Sequence, residues 1–334
     1  MNKRLIKSND EGGGGNASFN TVLYTGTGTT NPRTDIGFQP DLVWIKNRTN
    51  TNSNVLQDSV RGANQYLISN TTNAEATRTD FQSFDSNGFT VTGNNDSWNG
   101  SHNYVAWCWK AGGAAVTNTD GTITSQVSAN TEAGFSIVSW TGNGNASSIG
   151  HGLSSAPDMI ILKNRTDVDS WEIHHKSITP ITHSITFTTS AARLSNYFTA
   201  KDLTTFSVGG YNRSNGLNDA MIAYCFAEVA GFSKFGSYDG TGTASGNVVV
   251  TGFEPAFVMV KRTDASGGSW LMVDNKRVAA GNEKHELFAN TSTAESGTGY
   301  DVAFLENGFQ MQTTTSNANA SGASYIYMAF ANQF

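Results

Sequence analysis

The chain has 334 residues, 35 of them glycine and 5 proline, and carries a formal charge of −6 at pH 7. Charged residues make up 14%, too few for a coiled coil or a charge-driven disordered chain, and the acidic balance argues against nucleic acid, whose phosphates select clustered Lys and Arg. No apolar run approaches the ~20 residues of a membrane-spanning helix, so membrane insertion is not expected. The wealth of Asn, Thr, Ser and Gly favours strands and turns over long helices, while 37% hydrophobic residues suffice for sizeable cores.

The first residues include Lys3, Arg4 and Lys7, followed by Ser8-Asn9-Asp10-Glu11 and four glycines, Gly12 to Gly15. No apolar segment of the ~7–15 residues that a secretory signal needs follows the basic residues. Residues 1–16 read either as a frayed terminus or as a short flexible arm with a glycine hinge. On the second reading, Lys3, Arg4 and Lys7 are the candidates for anchoring a partner.

The body of the chain repeats itself. Gln39-Pro40-Asp41-Leu42-Val43-Trp44-Ile45-Lys46-Asn47-Arg48 returns as Ala156-Pro157-Asp158-Met159-Ile160-Ile161-Leu162-Lys163-Asn164-Arg165, and as Glu254-Pro255-Ala256-Phe257-Val258-Met259-Val260-Lys261-Arg262. Tyr104 to Trp109 returns as Met221 to Phe226 and as Tyr325 to Phe330. Asn70-Thr71-Thr72-Asn73-Ala74 matches Phe187 to Ala191 and Asn290 to Ala294, and the segments beginning at Phe19, Phe135 and Phe232 also correspond. Several blocks kept in one order three times define homologous units at 17–113, 131–230 and 231–334.

Each block reads as a strand. Proline sits at a strand start, where no ladder hydrogen bond is lost. Leu42 and Trp44 on one face and Val43 and Ile45 on the other are all apolar, so this strand is expected to be covered on both sides. Lys46, Lys163 and Lys261 are expected where it leaves the core. In the Tyr104 block, small Ala106 and Cys108 alternate with large Val105, Trp107 and Trp109, which suits an inner strand between unlike neighbours. Asn-Gly and Asp-Gly pairs supply turns. The predicted fold is all-β: three tandem β-sandwich units of jelly-roll or lectin-like type behind a short N-terminal arm. Whether strands are exchanged between units is left open.

Few residues suggest chemistry. Cys108 and Cys225 are equivalent, with Ala329 in the third unit, so both are expected as buried free thiols. His174 and His175 alternate onto opposite faces of a strand and cannot share a metal ion; rim or surface positions are expected for them and for His183. Asp58 and Asp274, each followed three residues later by Arg61 or Arg277, read as structural ion pairs rather than as the two carboxylates of a glycosidase. No Gly-x-Ser-x-Gly elbow or His-Glu-x-x-His helix is present, and no catalytic residue, metal or cofactor is expected. Aspartates in the turn Asp167-Val168-Asp169 are too scattered to argue for calcium. Trp98, Trp171 and Trp270 lie in polar stretches and are the candidates for ligand contact, since sugar rings and protein partners stack on such faces. The similar placement of Trp171 and Trp270 also suits packing.

Gly37 to Arg48, Asp58-Ser59-Val60-Arg61-Gly62-Ala63, Tyr104 to Gly113 and Ala227 to Gly236 together resemble a domain of unknown function common in virion proteins of tailed bacteriophages, especially marine and aquatic ones. The resemblance implies a virion structural protein, often fibre-like, and transfers no catalytic residue. On that footing the expected function is a tail fibre or tail-associated adhesin on the particle surface. It would contact other virion proteins through its arm and host glycan or protein through its loops. Either a homotrimer forms, or the three units of one chain take the place of a trimer. The alternatives are a capsid decoration or head-fibre protein and, from another class, a glycan depolymerase; a secreted carbohydrate-binding module is disfavoured by the lack of a signal segment.

Overall fold

A computed structural model of the chain describes residues 17–188, 191–277, 285–297 and 302–332. Lys3, Arg4, Lys7 and the glycine run lie outside the described residues. Each unit builds a large antiparallel sheet and a three-stranded one, the second adds a two-stranded pair of His183–Ser184 with Arg193–Leu194, and among the described residues no strand is exchanged between units. In the first, Asn103–Trp109 lies between Phe19–Thr25 and Leu42–Asn47, with Val55–Asp58, Gln65–Ile68 and Ala76–Thr77 beyond. The second sets Ala220–Phe226 between Phe135–Thr141 and Met159–Asn164, and the third sets Ser324–Phe330 between Ser233–Asp239 and Phe257–Arg262. The register repeats too: Trp44 faces Trp107, Ile161 faces Tyr224, and Met259 faces Met328. Residues outside the expected 131–230 unit add to the second sheet, where Val116–Asn118 and Ser125–Asn130 extend its edge.

The two faces of each large sheet meet different partners. Val43, Ile45, Ala106 and Cys108 pack under the first unit's small sheet of Asn31–Arg33, Gly88–Val91 and Phe81–Asp85. Equivalent private cores hold Cys225 in the second unit and Ala329 in the third. The opposite faces, with Leu42, Trp44, Val105, Trp107 and Trp109, join those of the other two units in one common core. Large side chains therefore sit where three sheets converge, and small ones where the narrower sandwich closes. Equivalent rings Trp109, Phe226 and Phe330 stand in mutual contact about this pseudo-threefold axis, with centroids 6.3, 5.8 and 5.9 Å apart. Near the axis, Phe187 packs alone against Trp44, Trp171 and Trp270 at 5.6, 5.7 and 5.3 Å. Asn70 and Asn290 occupy its place in the sister units. Space at an axis admits one side chain, so the sequences must differ there.

Polar contacts close the same ring. The Tyr224 hydroxyl donates to Asp58 across the first–second interface at 2.8 Å, and Trp107 Nε1 donates to Asp274 across the third–first interface at 3.0 Å. Asp58 pairs with Arg61 and Asp274 with Arg277, all four side chains fully buried. Glu75 takes Arg61 and, across the interface, Arg165; Glu295 takes Arg277 and Arg48 in the same way. At the second–third interface the set is neutral. His175 stands for the aspartate, Ile178 for the arginine and Ala192 for the glutamate, opposite Met328, which has no donor. His175 Nε2 instead donates to the Tyr327 carbonyl at 3.1 Å, while its Nδ1 accepts from the Ser177 amide. Both His174 and His175 are buried, contrary to the expected rim positions, because both faces of their strand are covered. Burial pulls His174 down to about 3 and His175 to about 4, which keeps both neutral.

Candidate interaction surface

The common core gives the molecule two ends. Phe19, two residues into the described chain, stacks on Phe330 with centroids 5.3 Å apart, so the first and last described strands come together at one end. Opposite them, the pairs Thr25–Asn103 and Asn47–Tyr104 end the first unit's central strands, and the loops 26–30, 48–54, 69–75 and 93–102 project from there. The repeat places loops 142–146 and 209–219 and loops 240–247 and 312–323 at the same end. This crown is rich in Thr, Asn, Ser and Gly, with hydroxyl and amide groups that both donate and accept hydrogen bonds.

Repeated devices hold the crown. A Cβ on Gly26 would collide with the Gly100 carbonyl, and the same close approach recurs between Gly142 and Gly216 and between Gly240 and Ala320. Buried Asn99 donates to the Thr29 and Gly93 carbonyls at 2.6 and 2.9 Å; Asn215 donates to the Asn145 carbonyl at 2.7 Å and accepts from Trp140. Asn319 donates to the Thr243 and Thr313 carbonyls, both at 2.8 Å. These asparagines escaped the sequence reading, although an Asn followed by Gly or Ala shortly before the last strand of each unit, at Asn99, Asn215 and Asn319, was available as a signal.

Lys46, Lys163 and Lys261 do not mark an exit from the core; all three are fully buried. Their ammonium groups cap loop carbonyls. Lys46 donates to Asn52 O and, across the third–first interface, to Ser292 O at 2.9 Å; Lys261 donates to Gly268 O at 2.6 Å. Burial brings each lysine down to about 8.

The three tryptophans are likewise not exposed. Trp171 Nε1 donates to the Ile68 carbonyl of the first unit at 2.9 Å, and Trp270 Nε1 to the Thr186 carbonyl of the second at 2.8 Å. Asn54, at the equivalent place, donates to the Ala289 carbonyl of the third at 3.2 Å. Both tryptophans are wedges between units: the polar neighbours that suggested exposure are themselves capped by the adjoining unit. Trp98 is 1% exposed beneath the crown, edge-on to Tyr66 at 5.6 Å and under Arg78 at 5.7 Å. These three, with Asn52, Ser53, Asn95 and Ser97, line a cavity of about 140 Å³. Ligand pockets usually hold about 300–1,000 Å³, so this one suits a pendant hydroxyl or a few waters rather than a whole ring.

A larger cleft of about 490 Å³ lies at the other end, among Ser18, Gln39, Asp41, Lys110, Asn130 and Glu132. Its Asp41 carboxylate already accepts from Ser59 and from the amides of Ala111 and Gly113. Asp58 and Asp274 are committed to Arg61 and Arg277 away from solvent. Cys108 and Cys225 are buried free thiols in separate private cores, and burial raises both. Among the described residues no cluster of His, Cys, Asp or Glu is placed to hold a metal ion, and no helix is long and apolar enough to cross a membrane.

Fold and surface together define a class: an all-β protein of threefold internal repetition, whose sandwiches share one core and present polar loops at one end. The chain belongs to the family described as a domain of unknown function (DUF7483), whose pattern matches residues 15–333 and so spans all three units. No curated protein matches the sequence.

Proposed function

We propose that the chain is a non-enzymatic structural adhesin, a surface component of a bacteriophage virion, mounted through its N-terminal arm as a tail fibre or tail-associated protein. The observation that carries this reading is the separation of ends. The first and last described strands meet at one end, whereas the polar loops of three sandwiches crowd the opposite face. One polypeptide thereby does the work of a trimer: a rigid shaft tip with a broad, shallow face. Hydroxyl and amide groups on such a face suit many weak contacts to host glycan or protein, multiplied by copies on the particle. Burial of the Asp58 and Asp274 carboxylates in ion pairs favours holding over glycan cleavage.

Locating the chain in an electron-microscopy map of the particle tests the mounting. A tail component appears in few copies, whereas a capsid decoration protein, the alternative, appears in tens to hundreds. Absence from purified particles would sink both. Purified protein is expected to bind host cells and compete with phage adsorption; release of new reducing ends from host polysaccharide would instead establish a depolymerase.

A further inference from the structure

The crown differs among the three units although one frame recurs in it. The Asn99, Asn215 and Asn319 amides donate to the carbonyls of Asn95, Tyr211 and Thr315 at 2.7, 2.8 and 2.8 Å, which makes those three acceptor residues equivalent. Where the small sheets end, the Thr92 amide donates to Asp80 O at 2.7 Å and the Gly209 amide to Tyr197 O at 3.1 Å, so Asp80 and Tyr197 also correspond. In the first unit these two places hold a polar pair, with Asn95 Nδ2 donating to Asp80 Oδ2 at 3.1 Å. In the second they hold two tyrosines, edge to face with centroids 5.5 Å apart. Tyr211 is 48% exposed, the one exposed aromatic side chain among the described residues.

This tyrosine pair is braced. Gly209 passes so close that a Cβ there would lie 2.7 Å from Tyr211 Cε2, so the ring rests against bare backbone. Tyr197 lies under the Arg213 guanidinium at 5.1 Å, and Arg213 is fixed in turn by Asp169 at 2.6 Å and by the buried Glu172 at 2.7 Å. Among the described residues two that are not glycine adopt a left-handed backbone, Asn196 with φ 53° and Asn218 with φ 64°. Both belong to these loops, and such positions gather at binding sites. Loop 142–146 closes one side, with Gly210 set against the Gly144 carbonyl and the backbone of Asn145. The Tyr211 hydroxyl and Asn145 Oδ1 have no partner among the described residues.

We propose that Tyr211, braced by Tyr197 and flanked by Asn145, is the sugar-stacking residue of the crown, one site per chain, and that it takes a neutral pyranose. A fixed, open ring face receives the apolar C–H face of the sugar, while the phenol and amide groups beside it exchange hydrogen bonds with the sugar hydroxyls. Other ligands fit less well. Arg213 is already neutralised by two carboxylates, so its charge is not offered to a phosphate. A lone exposed ring also falls far short of a protein interface, which buries about 800 Å² on each partner around several anchors. The assignment rests on the reading of the crown as the contact face and narrows it to one unit and one ligand class.

Saturation-transfer NMR on the full chain tests it, with the methyl β-pyranosides of galactose, glucose, mannose and N-acetylglucosamine as probes and acyclic sorbitol as control. Transfer is expected to the ring C–H protons of at least one pyranoside and not to sorbitol, with a Kd of about 1 mM for so small a ligand. Tyr211→Ala, at an exposed position, is expected to weaken that binding about tenfold while the urea midpoint stays put. Tyr211→Phe keeps the ring and should bind about as well as the parent. Absence of transfer to every pyranoside overturns the proposal, and so does binding untouched by Tyr211→Ala. A loss in Tyr211→Phe as deep as in Tyr211→Ala overturns it too, since the hydroxyl and not the ring face would then be the contact. Host-cell adhesion separates this site from the wider reading. Cells still held by Tyr211→Ala sink the site and leave the adhesin standing, whereas pyranoside binding by a chain that holds no cells keeps the site and sinks the adhesin.

Discussion

The first–second and second–third interfaces join equivalent surfaces with opposite chemistry. At the former, buried Asp58, Arg61 and the Tyr224 hydroxyl form one network with the partly exposed Glu75 and Arg165; at the latter, His175, Ile178, Ala192, Thr263 and Met328 do the same job without a formal charge. What stays constant is the backbone. Glu75 and Ala192 each donate an amide across the interface, to Arg165 O at 2.8 Å and to Thr263 O at 3.0 Å. The fold thus requires the hydrogen bond and leaves the charges optional, provided they change as a set. A buried aspartate needs its arginine and its donor together; remove the donor, as Met328 does, and a neutral side chain that donates is the workable substitute.

The comparison is broken most severely by removing one member of the charged set. Asp58→Ala leaves the Arg61 guanidinium buried with only the distal Glu75 carboxylate for a charge partner, and we expect a loss of about 3–5 kcal/mol in urea unfolding. His175→Ala strands only a carbonyl, so about 1–3 kcal/mol is expected there. Equal losses at the two sites would show that the charged network has no special dependence on its parts. Phe187→Ala opens a cavity among three tryptophans and is expected to cost about 3–5 kcal/mol, with indole fluorescence reporting water entry. Asn70→Ala, at the equivalent position off the axis, should cost much less.

The repeat and the two-faced apolar strands were legible because periodicity is local: Leu42 with Trp44, and Val43 with Ile45, announce two covered faces. The partner of the second face was not legible. Nothing in the strand distinguishes a neighbouring sandwich from a second sheet of its own, and that distinction decides where everything nearby lies. Trp171, Trp270 and Lys46 sit in polar stretches that look like surface until the next unit's loop is placed over them. Trp98 misled for a related reason, since its stacking partners Tyr66 and Arg78 come from distant segments. In the Phe187 block the break from Asn to Phe was visible, and only the axis explains it.

Acid offers a finer test. At pH 7 His174 and His175 are neutral in the folded chain and about three-quarters neutral in the unfolded one. As pH falls through 6.5 the unfolded chain takes up protons that the buried imidazoles refuse, down to about 4 for His175 and about 3 for His174. Stability contributed by keeping them neutral is therefore complete above pH 6.5 and is lost progressively toward pH 4. For His175 alone the span corresponds to about 3 kcal/mol. His175→Gln is expected to flatten the fall of the urea midpoint between pH 6.5 and 4; an unchanged slope would mean that this imidazole is not shielded as the structure places it.

The smallest expected effect separates the charged rim from the charged core. Arg165 and Arg48 reach Glu75 and Glu295 from the partly exposed side, with 17% and 19% of their side chains accessible. Solvent screening limits such pairs, so Arg165→Gln and Arg48→Gln should each cost about 0.2–1 kcal/mol, shrinking as salt is raised toward 1 M. Thr263, the equivalent residue at the second–third interface, has no carboxylate opposite it, because Ala192 stands there. Thr263→Arg should accordingly gain nothing unless Ala192→Glu is made with it, and a double-mutant cycle would read the coupling directly. Coupling of a few tenths of a kcal/mol would show that the rim pair can be installed on the shared backbone contact alone. Coupling of zero would mean that the rim glutamate works only when Arg61 or Arg277 also holds its carboxylate from below.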